Sequence, residues 1–340
     1  VAAELRTLVP AGRDRPLQLF VHIIDMNLAI TLRPYSISLH DTDQLRGQVC
    51  NVPRAAATQL VTHQLWPYMP REPDEVAHFV ILGFGLMGQA LAVQLAQLGH
   101  FPNRKRSRFT IADRNVDESA AQFLSHYGRF TSWTAGQYGV DAFSPQADEW
   151  TFNSLPLPPE IRVPHDQGIQ YVANARFVEL PPTLRDEPFA SDLAEDFRQP
   201  GVKPVVFVCG RQDRDNFEAA VQLREQLAHQ GLPDVPMFVW LPHQPALADT
   251  LIRDGRFMPF GESRTAASYE QITVPLRERL GRKIHEDYEK RAVEDKQKES
   301  PEPWETVRDD FRESSRVAAD HLHLKLAALG YRLEGGDSPR

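Results

Sequence analysis

The sequence contains few cysteines. Only Cys50 and Cys209 occur among its 340 residues. Two distant cysteines supply neither a network of disulfides nor the ligand set of a metal site, so we predict no metal and expect a reducing, cytoplasmic environment. No secretory signal peptide is recognisable in the sequence.

The chain also lacks an excess of positive charge. Its 38 Lys and Arg residues face 46 Asp and Glu residues, which gives a net charge of -8. No basic stripe with interleaved aromatic residues occurs, and both observations exclude a nucleic acid as the expected partner.

A recognisable catalytic set is missing as well. The sequence contains no G-x-S-x-G, no H-E-x-x-H and no paired-carboxylate motif. His243 lies between prolines, which favours a structural role, and His321 and His323 are two residues apart and face different sides of a helix. We therefore predict that the protein is not an enzyme. The alternative of a soluble NAD-dependent oxidoreductase requires a proton donor beside the nicotinamide.

The longest apolar run, Phe79–Leu98, resembles a membrane span but contains three glycines and three glutamines. It fits a strand, a G-x-G-x-x-G turn at Gly83-Phe84-Gly85-Leu86-Met87-Gly88, and a helix. This pattern is typical of dinucleotide-binding sites. The first glycine allows a tight turn, the second lets the backbone approach a pyrophosphate, and the third lets helix and strand pack closely. The helix N-terminus presents free N–H groups to a phosphate.

An acid follows the next strand, Phe109–Ala112. Asp113 can accept hydrogen bonds from a ribose diol, which favours NAD(H) or another adenine nucleotide over NADP, and Arg114 beside it weakens this preference. Arg211 and Asn216 follow the buried strand Pro204–Cys209 at the edge where such sheets bind ligands. They are candidate site residues, or else a charged turn and a helix cap. The alternative for the whole motif is a doubly wound sheet whose nucleotide site is vestigial.

Residues 1–70 contain an internal repeat of a later segment. Ala2, Leu5 and Arg6 match Ala220, Leu223 and Arg224, and Phe20-Val21 matches Phe238-Val239. We interpret residues 1–70 as the C-terminal half of a first Rossmann unit, with two parallel strands and flanking helices. Cys50–Gln64 is predicted to be a helix. The alternative is a chance similarity between two amphipathic units. Since the chain begins at Val1 without methionine, we expect its natural N-terminus to lie upstream.

The remaining segments are assigned as follows. Residues 71–269 are predicted to form a complete α/β Rossmann-type domain with a doubly wound parallel sheet and an insertion at about 130–203, within which Ile169–Leu180 is predicted to be a strand and Ser191–Arg198 a short helix. Residues 270–335 are predicted to form a small helical domain with helices at Ile272–Lys296 and from Arg308 to Leu329. Residues 336–340 are predicted to be a tail.

Three stretches resemble bacterial TrkA-N (RCK-type) proteins that carry a C-terminal ryanodine-receptor-type (RyR) domain. The first is His78–Arg114, and the second is Leu19–Leu32 with Cys50-Asn51-Val52. The third comprises Lys283–Tyr288, Pro303-Trp304-Glu305 and Arg312–Arg316 with Ala319-Asp320-His321.

The resemblance implies a cytoplasmic, nucleotide-sensing regulatory module of a membrane ion-transport or channel-like protein. Its expected partners are a nucleotide, a transmembrane segment upstream and further copies of the chain in a homo-oligomer. An alternative is an effector that senses a nucleotide second messenger in defence against phage.

The helical domain contains a candidate second ligand site. Arg312 and Arg316 share one helix face, and His285 and Tyr288 share a face of the other helix. If the helices pair antiparallel, both faces converge near Trp304, where stacking and bidentate hydrogen bonds suit a nucleobase and phosphates. The structural alternative is that Trp304 covers the small core and Arg316 pairs with Glu286 or Asp287.

Overall fold

The computed structural model describes residues 17–23, 28, 45–99, 101, 103, 105, 107–126, 151–153, 171–185, 187–261, 276–294, 302–329 and 331. Residue contacts divide the chain into two compact units: Val1–Ala55 with Arg264–His323, and Ala56–Ser263 with Leu324–Arg340. Each is described by itself. The boundaries that the sequence predicts near residues 70 and 270 stay a prediction.

A two-stranded parallel sheet lies in the first unit. Strand β1 (Leu17–His22) pairs with β2 (Leu45–Cys50) from Leu17 opposite Leu45 to His22 opposite Cys50. This confirms two parallel strands in the N-terminal segment, while its membership of a Rossmann unit stays a prediction. The helices expected to flank these strands fall largely on residues outside the described ones.

The prediction that Cys50 begins a helix is wrong, because Cys50 ends β2. The helix α1 is Val52–Gln59. Asn51 sets the boundary: its Oδ1 accepts a hydrogen bond from Arg54 N at 2.8 Å, and its Nδ2 donates to Ile23 O at 2.8 Å. An N-cap asparagine that satisfies a first-turn amide explains why the helix starts there.

The second unit contains a seven-stranded sheet with the order β5-β6-β4-β3-β7-β8-β9. Every pair is parallel except β5 with β6. The strands are β3 (Val76–Leu82), β4 (Ser107–Asp113), β5 (Thr151–Asn153), β6 (Tyr171–Glu179), β7 (Val202–Val208), β8 (Met237–Trp240) and β9 (Met258–Phe260).

The six parallel strands have the order of the dinucleotide-binding fold, 3-2-1-4-5-6, when β3 is counted as the first. The connecting helices are α2 (Leu86–Leu98), α3 (Val116–His126), α4 (Glu187–Phe197), α5 (Asp213–His229) and α6 (Pro245–Asp254). The protein therefore has an α/β fold of the Rossmann type, as the sequence predicts.

Helices cover both faces of this sheet. Val80, Leu82 and Val206 point to one face, where they form a buried core with side chains of α4, α5 and α6. The opposite face carries a layer of phenylalanines, in which Phe79 contacts Phe109 and Phe207 stacks on Phe238. Continuous apolar strands are expected when both faces are covered, because each strand then has no solvent-facing side.

A helical hairpin completes the described structure, with α7 at Leu276–Glu294 and α8 at Asp309–Ala328. Arg277 Nε bonds Asp320 Oδ2 at 2.7 Å and Arg316 Nε bonds Glu278 Oε2 at 2.6 Å. Partner numbers fall along α8 as they rise along α7, so the helices are antiparallel. At Gly281, an added Cβ would lie 3.2 Å from the Cα of Arg316, which shows a close approach of the two backbones.

Candidate functional site: the glycine turn

The glycine turn lies where the strand order reverses. β3 ends at Leu82, and its two neighbours are β4, reached through α2, and β7, which comes much later in the chain. The turn is tied to both: Gly83 N donates to Ala112 O at 2.8 Å, and Cys209 N donates to Leu82 O at 2.7 Å. Open α/β sheets bind their ligands at this point, outside the carboxyl ends of the strands.

The three glycines of the motif meet three different surroundings. Gly83 has φ +88, and an added Cβ would lie 2.7 Å from Gly210 N. A Cβ at Gly88 would collide with the carbonyl oxygen of Gly83. At Gly85, by contrast, a Cβ would meet no atom of the described residues within 4 Å. The first and third glycines are thus required by packing, while the second leaves the backbone accessible from outside.

The N-terminus of α2 presents free amides beside that opening. The first helical hydrogen bond is donated by Gln89 N to Gly85 O at 2.9 Å. The amides of Leu86, Met87 and Gly88 precede it, and within the described ranges no acceptor takes them up. Gly85 provides no side-chain cap, and the first turn carries no acid. Three N–H groups without an acceptor among the described residues, at the positive end of a helix, favour the binding of a phosphate.

The side chains of the motif divide into buried and exposed ones. Phe84 is fully buried and contacts the rings of Phe123 and Phe177, with centroids 5.0 and 5.5 Å away. Met87 is also buried, whereas Leu86 is 53% exposed. Phe84 and Met87 therefore anchor the turn and can offer a ligand only main-chain atoms, while Leu86 can also offer its side chain.

Asp113 connects the turn to the next helix. Its Oδ2 accepts a hydrogen bond from Phe84 N at 2.6 Å, and its Oδ1 accepts from Asn115 N at 2.9 Å and Ser119 Oγ at 3.1 Å. A carboxylate has about four acceptor positions, so about one remains for a ribose hydroxyl. Arg114 beside it is exposed and reaches Pro182 O at 3.4 Å.

Arg211 and Asn216, the two candidates after β7, have different roles. Asn216 is 1% exposed, and its Nδ2 donates to Gly210 O at 3.1 Å and to Trp240 O at 2.8 Å. It therefore stabilises the turn after β7 rather than facing a ligand. Arg211 is exposed, and its guanidinium makes no hydrogen bond or ion pair with the residues that the structure describes.

Sequence reasoning missed the role of Asp213 in the same region. This residue is 4% exposed, and its Oδ2 accepts hydrogen bonds from His243 N and Gln244 N, both at 2.8 Å. It fixes the loop after β8 to the start of α5. An aspartate at the start of a helix is an available sequence signal, but the distant loop that it binds is not readable from the sequence.

A buried polar cluster in the middle of the sheet was also missed. His78 and Thr110 are fully buried, with Nε2 and Oγ1 2.8 Å apart, and Arg176 Nε donates to the same Thr110 oxygen at 2.9 Å. Arg176 also forms an ion pair with Asp196 on α4. Burial, aided by the nearby charges of Arg176 and Arg108, lowers the pKa of His78 to about 3. Polar residues inside otherwise apolar parallel strands are the signal that could have revealed this cluster.

The hairpin brings together only part of its candidate ligand site. His285 is 4% exposed and Trp304 7% exposed, with ring centroids 5.5 Å apart, and the Arg316 guanidinium lies 5.6 Å from the Trp304 ring. Tyr288, in contrast, is 54% exposed. Arg312 donates to Val307 O at 3.0 Å. His285, Trp304 and Arg316 therefore form one largely buried cluster, and a ligand site there stays a prediction.

The partner predicted for Arg316 in the structural alternative is wrong. Arg316 makes a bidentate pair with Glu278, through Nε at 2.6 Å and Nη2 at 3.1 Å. Glu286 instead binds Arg282 and Lys283, and Asp287 binds Arg291. The antiparallel register explains the difference, because it places Arg316 more than two helical turns nearer the start of α7 than Glu286 and Asp287.

A cavity of about 480 Å³ lies at the other end of the sheet, away from the glycine turn. Its lining comes from the segments that precede β3 and β8 and from the start of β7, including Tyr68, Glu75, Lys203 and Pro236. The motif glycines and the N-terminal amides of α2 lie at the opposite edge of the sheet, beyond the carboxyl end of β3. We therefore place the candidate site at the glycine turn.

Within the described part of the chain, no helix combines the length and apolar character needed to cross a membrane. The same residues contain no group of three or more His, Cys, Asp and Glu side chains that could hold a metal ion. Comparison of the chain with models of protein families, with curated proteins and with solved structures found no match.

Proposed function

We propose that the glycine turn binds an adenine nucleotide, with NAD(H) as the first candidate. A phosphate would lie on the amides of Leu86, Met87 and Gly88, and a ribose hydroxyl would donate to Asp113. Two observations on the described residues carry the proposal: none of them lies near a Cβ added at Gly85, and none of them accepts a hydrogen bond from the three amides beside it. A side chain on the second glycine would stand where a pyrophosphate approaches the backbone.

The regulatory part of the proposal rests on the resemblance to TrkA-N proteins with an RyR domain. In this proposal the chain is a cytoplasmic, nucleotide-sensing module that acts on a transmembrane segment upstream, within a homo-oligomer, and regulates ion transport. Nucleotide binding regulates such a segment only if the ligand binds one conformation more tightly than another. Asp113 offers a physical link for such a preference, since it joins the turn to α3 through Asn115 and Ser119.

Mass spectrometry of small molecules released from the purified protein tests the binding proposal. We expect an adenine nucleotide from the wild type and from Gln244→Leu, and none from Gly85→Leu. Gln244→Leu is the matched control, because Gln244 is the exposed N-cap of α6 and, like Gly85, makes no side-chain capping bond. Equal nucleotide content in the wild type and Gly85→Leu would contradict the proposed site.

A further inference from the structure

Arg211 lies directly beside the glycine turn. It follows Gly210, whose amide nitrogen would be 2.7 Å from a Cβ at Gly83. The turns after β3 and β7 are therefore in backbone contact at the point where the strand order reverses. A long side chain that starts one residue from this contact is within reach of a ligand bound at the turn.

The backbone from which Arg211 projects is fixed. The buried side-chain amide of Asn216 donates hydrogen bonds to Gly210 O at 3.1 Å and to Trp240 O at 2.8 Å. A Cβ at Gly210 would lie 2.6 Å from Asn216 Oδ1, so this close approach requires glycine. Asn216 is thus a positioning residue, and Arg211 starts from a backbone that needs little ordering when a ligand binds.

The charges around the two turns favour an anion at the N-terminus of α2 rather than at that of α5. The first turn of α5 carries Asp213 and Asp215, which disfavour an anion at that helix end, while the first turn of α2 carries no acid. Arg214 pairs with Glu218 at 2.9 Å. Arg211, in contrast, has no ion pair or hydrogen bond inside the described ranges.

We infer that Arg211 binds the second phosphate of a nucleotide whose first phosphate rests on the amides of Leu86, Met87 and Gly88. The site therefore prefers nucleoside diphosphates and dinucleotides to nucleoside monophosphates. A guanidinium suits this role because its planar fork matches two phosphate oxygens. This inference rests on the proposed function and adds to it the class of ligand and the residue that selects it.

Calorimetric titration of the full chain with ADP and with AMP tests the inference. The wild type should bind ADP more tightly than AMP. Arg211→Ala should weaken ADP binding by about tenfold, as expected for a charge-assisted bidentate contact, and change AMP binding by less than about twofold. The matched control Arg214→Ala should behave as the wild type, since Arg214 is exposed and bonded to Glu218 on its own helix.

Three results overturn the inference. In the first, Arg211→Ala binds ADP as tightly as the wild type does. In the second, that variant loses ADP and AMP binding equally. In the third, the wild type binds AMP as tightly as ADP. In each of these the wild type still binds nucleotide, so the proposed function survives. A wild type that binds neither nucleotide overturns the proposed function together with the inference.

Discussion

Acid should destabilise the α/β unit through a single buried histidine. His78 lies in β3, fully buried, and Thr110 Oγ1 is 2.8 Å from its Nε2. Its Nδ1 has no hydrogen-bond partner among the described residues. Burial and the nearby charges of Arg176 and Arg108 lower its pKa from the usual 6.5 to about 3. A second proton would turn this ring into a buried cation beside two arginines, and its Nδ1–H would have no acceptor among the described residues.

The size of the effect follows from proton linkage. Below pH 6.5 the unfolded chain binds a proton at this histidine, and the folded chain does not until about pH 3. The stability that neutral His78 contributes is therefore present above pH 6.5 and is lost as the pH falls through this range. At pH 5, which is 1.5 units below the unfolded pKa, the loss is about 2 kcal/mol relative to pH 8, at about 1.4 kcal/mol per unit.

Urea denaturation of the wild type and His78→Gln at pH 8 and pH 5 measures this loss. Glutamine keeps a polar group near Thr110 but does not titrate, so the free energy of unfolding of the variant should fall by about 2 kcal/mol less than that of the wild type. Other titrating groups, including His63, whose pKa is also lowered by burial, are shared and cancel in the comparison. The control His229→Gln removes an exposed histidine from α5 and should follow the wild type. Parallel pH curves for the wild type and His78→Gln would refute the reasoning.

Two further predictions concern the turn and the hairpin. Gly88→Ala should lower the free energy of unfolding by about 1–3 kcal/mol, because its Cβ collides with the Gly83 carbonyl. Gly85→Ala should change the free energy of unfolding by no more than about 0.5 kcal/mol. Equal losses for the two variants in urea denaturation would contradict the geometry. Arg316→Ala should lower the melting temperature of the hairpin whether or not nucleotide is added, because it should reduce the free energy of unfolding by about 1–3 kcal/mol. The control Arg291→Ala removes an exposed arginine and should have little effect. A variant at position 316 that loses only nucleotide-induced stabilisation would support a ligand site in the hairpin instead.

The sequence predicted most of what lies at the glycine turn. The spacing of three glycines after an apolar run, with an acid after the next strand, was sufficient to locate the turn, the helix and the parallel sheet. These features are local: each depends on residues within one strand–helix–strand unit, so the pattern and the geometry coincide.

Features that depend on contacts between distant segments were not predictable. Asn216 has the sequence context of either a cap or a ligand-binding residue, and only its bonds to Gly210 and Trp240 show which is observed. The Glu278 partner of Arg316 depends on the register of two helices, which is set by the close approach at Gly281 and not by helical spacing.

Element boundaries were similarly limited. The change from strand to helix at Asn51 depends on two hydrogen bonds of one side chain, and one of these reaches back to the end of β1. Periodicity could not reveal this, because the apolar spacing continues across the boundary.

Isothermal titration of the wild-type protein with NAD, NADH, ATP, ADP and AMP tests the central claim most directly. The account predicts saturable binding of at least one of these nucleotides, with one site per chain, and loss of that binding in Gly85→Leu while Gln244→Leu retains it. The absence of binding to the wild type with all five nucleotides would contradict the account and leave the glycine turn as a vestigial site.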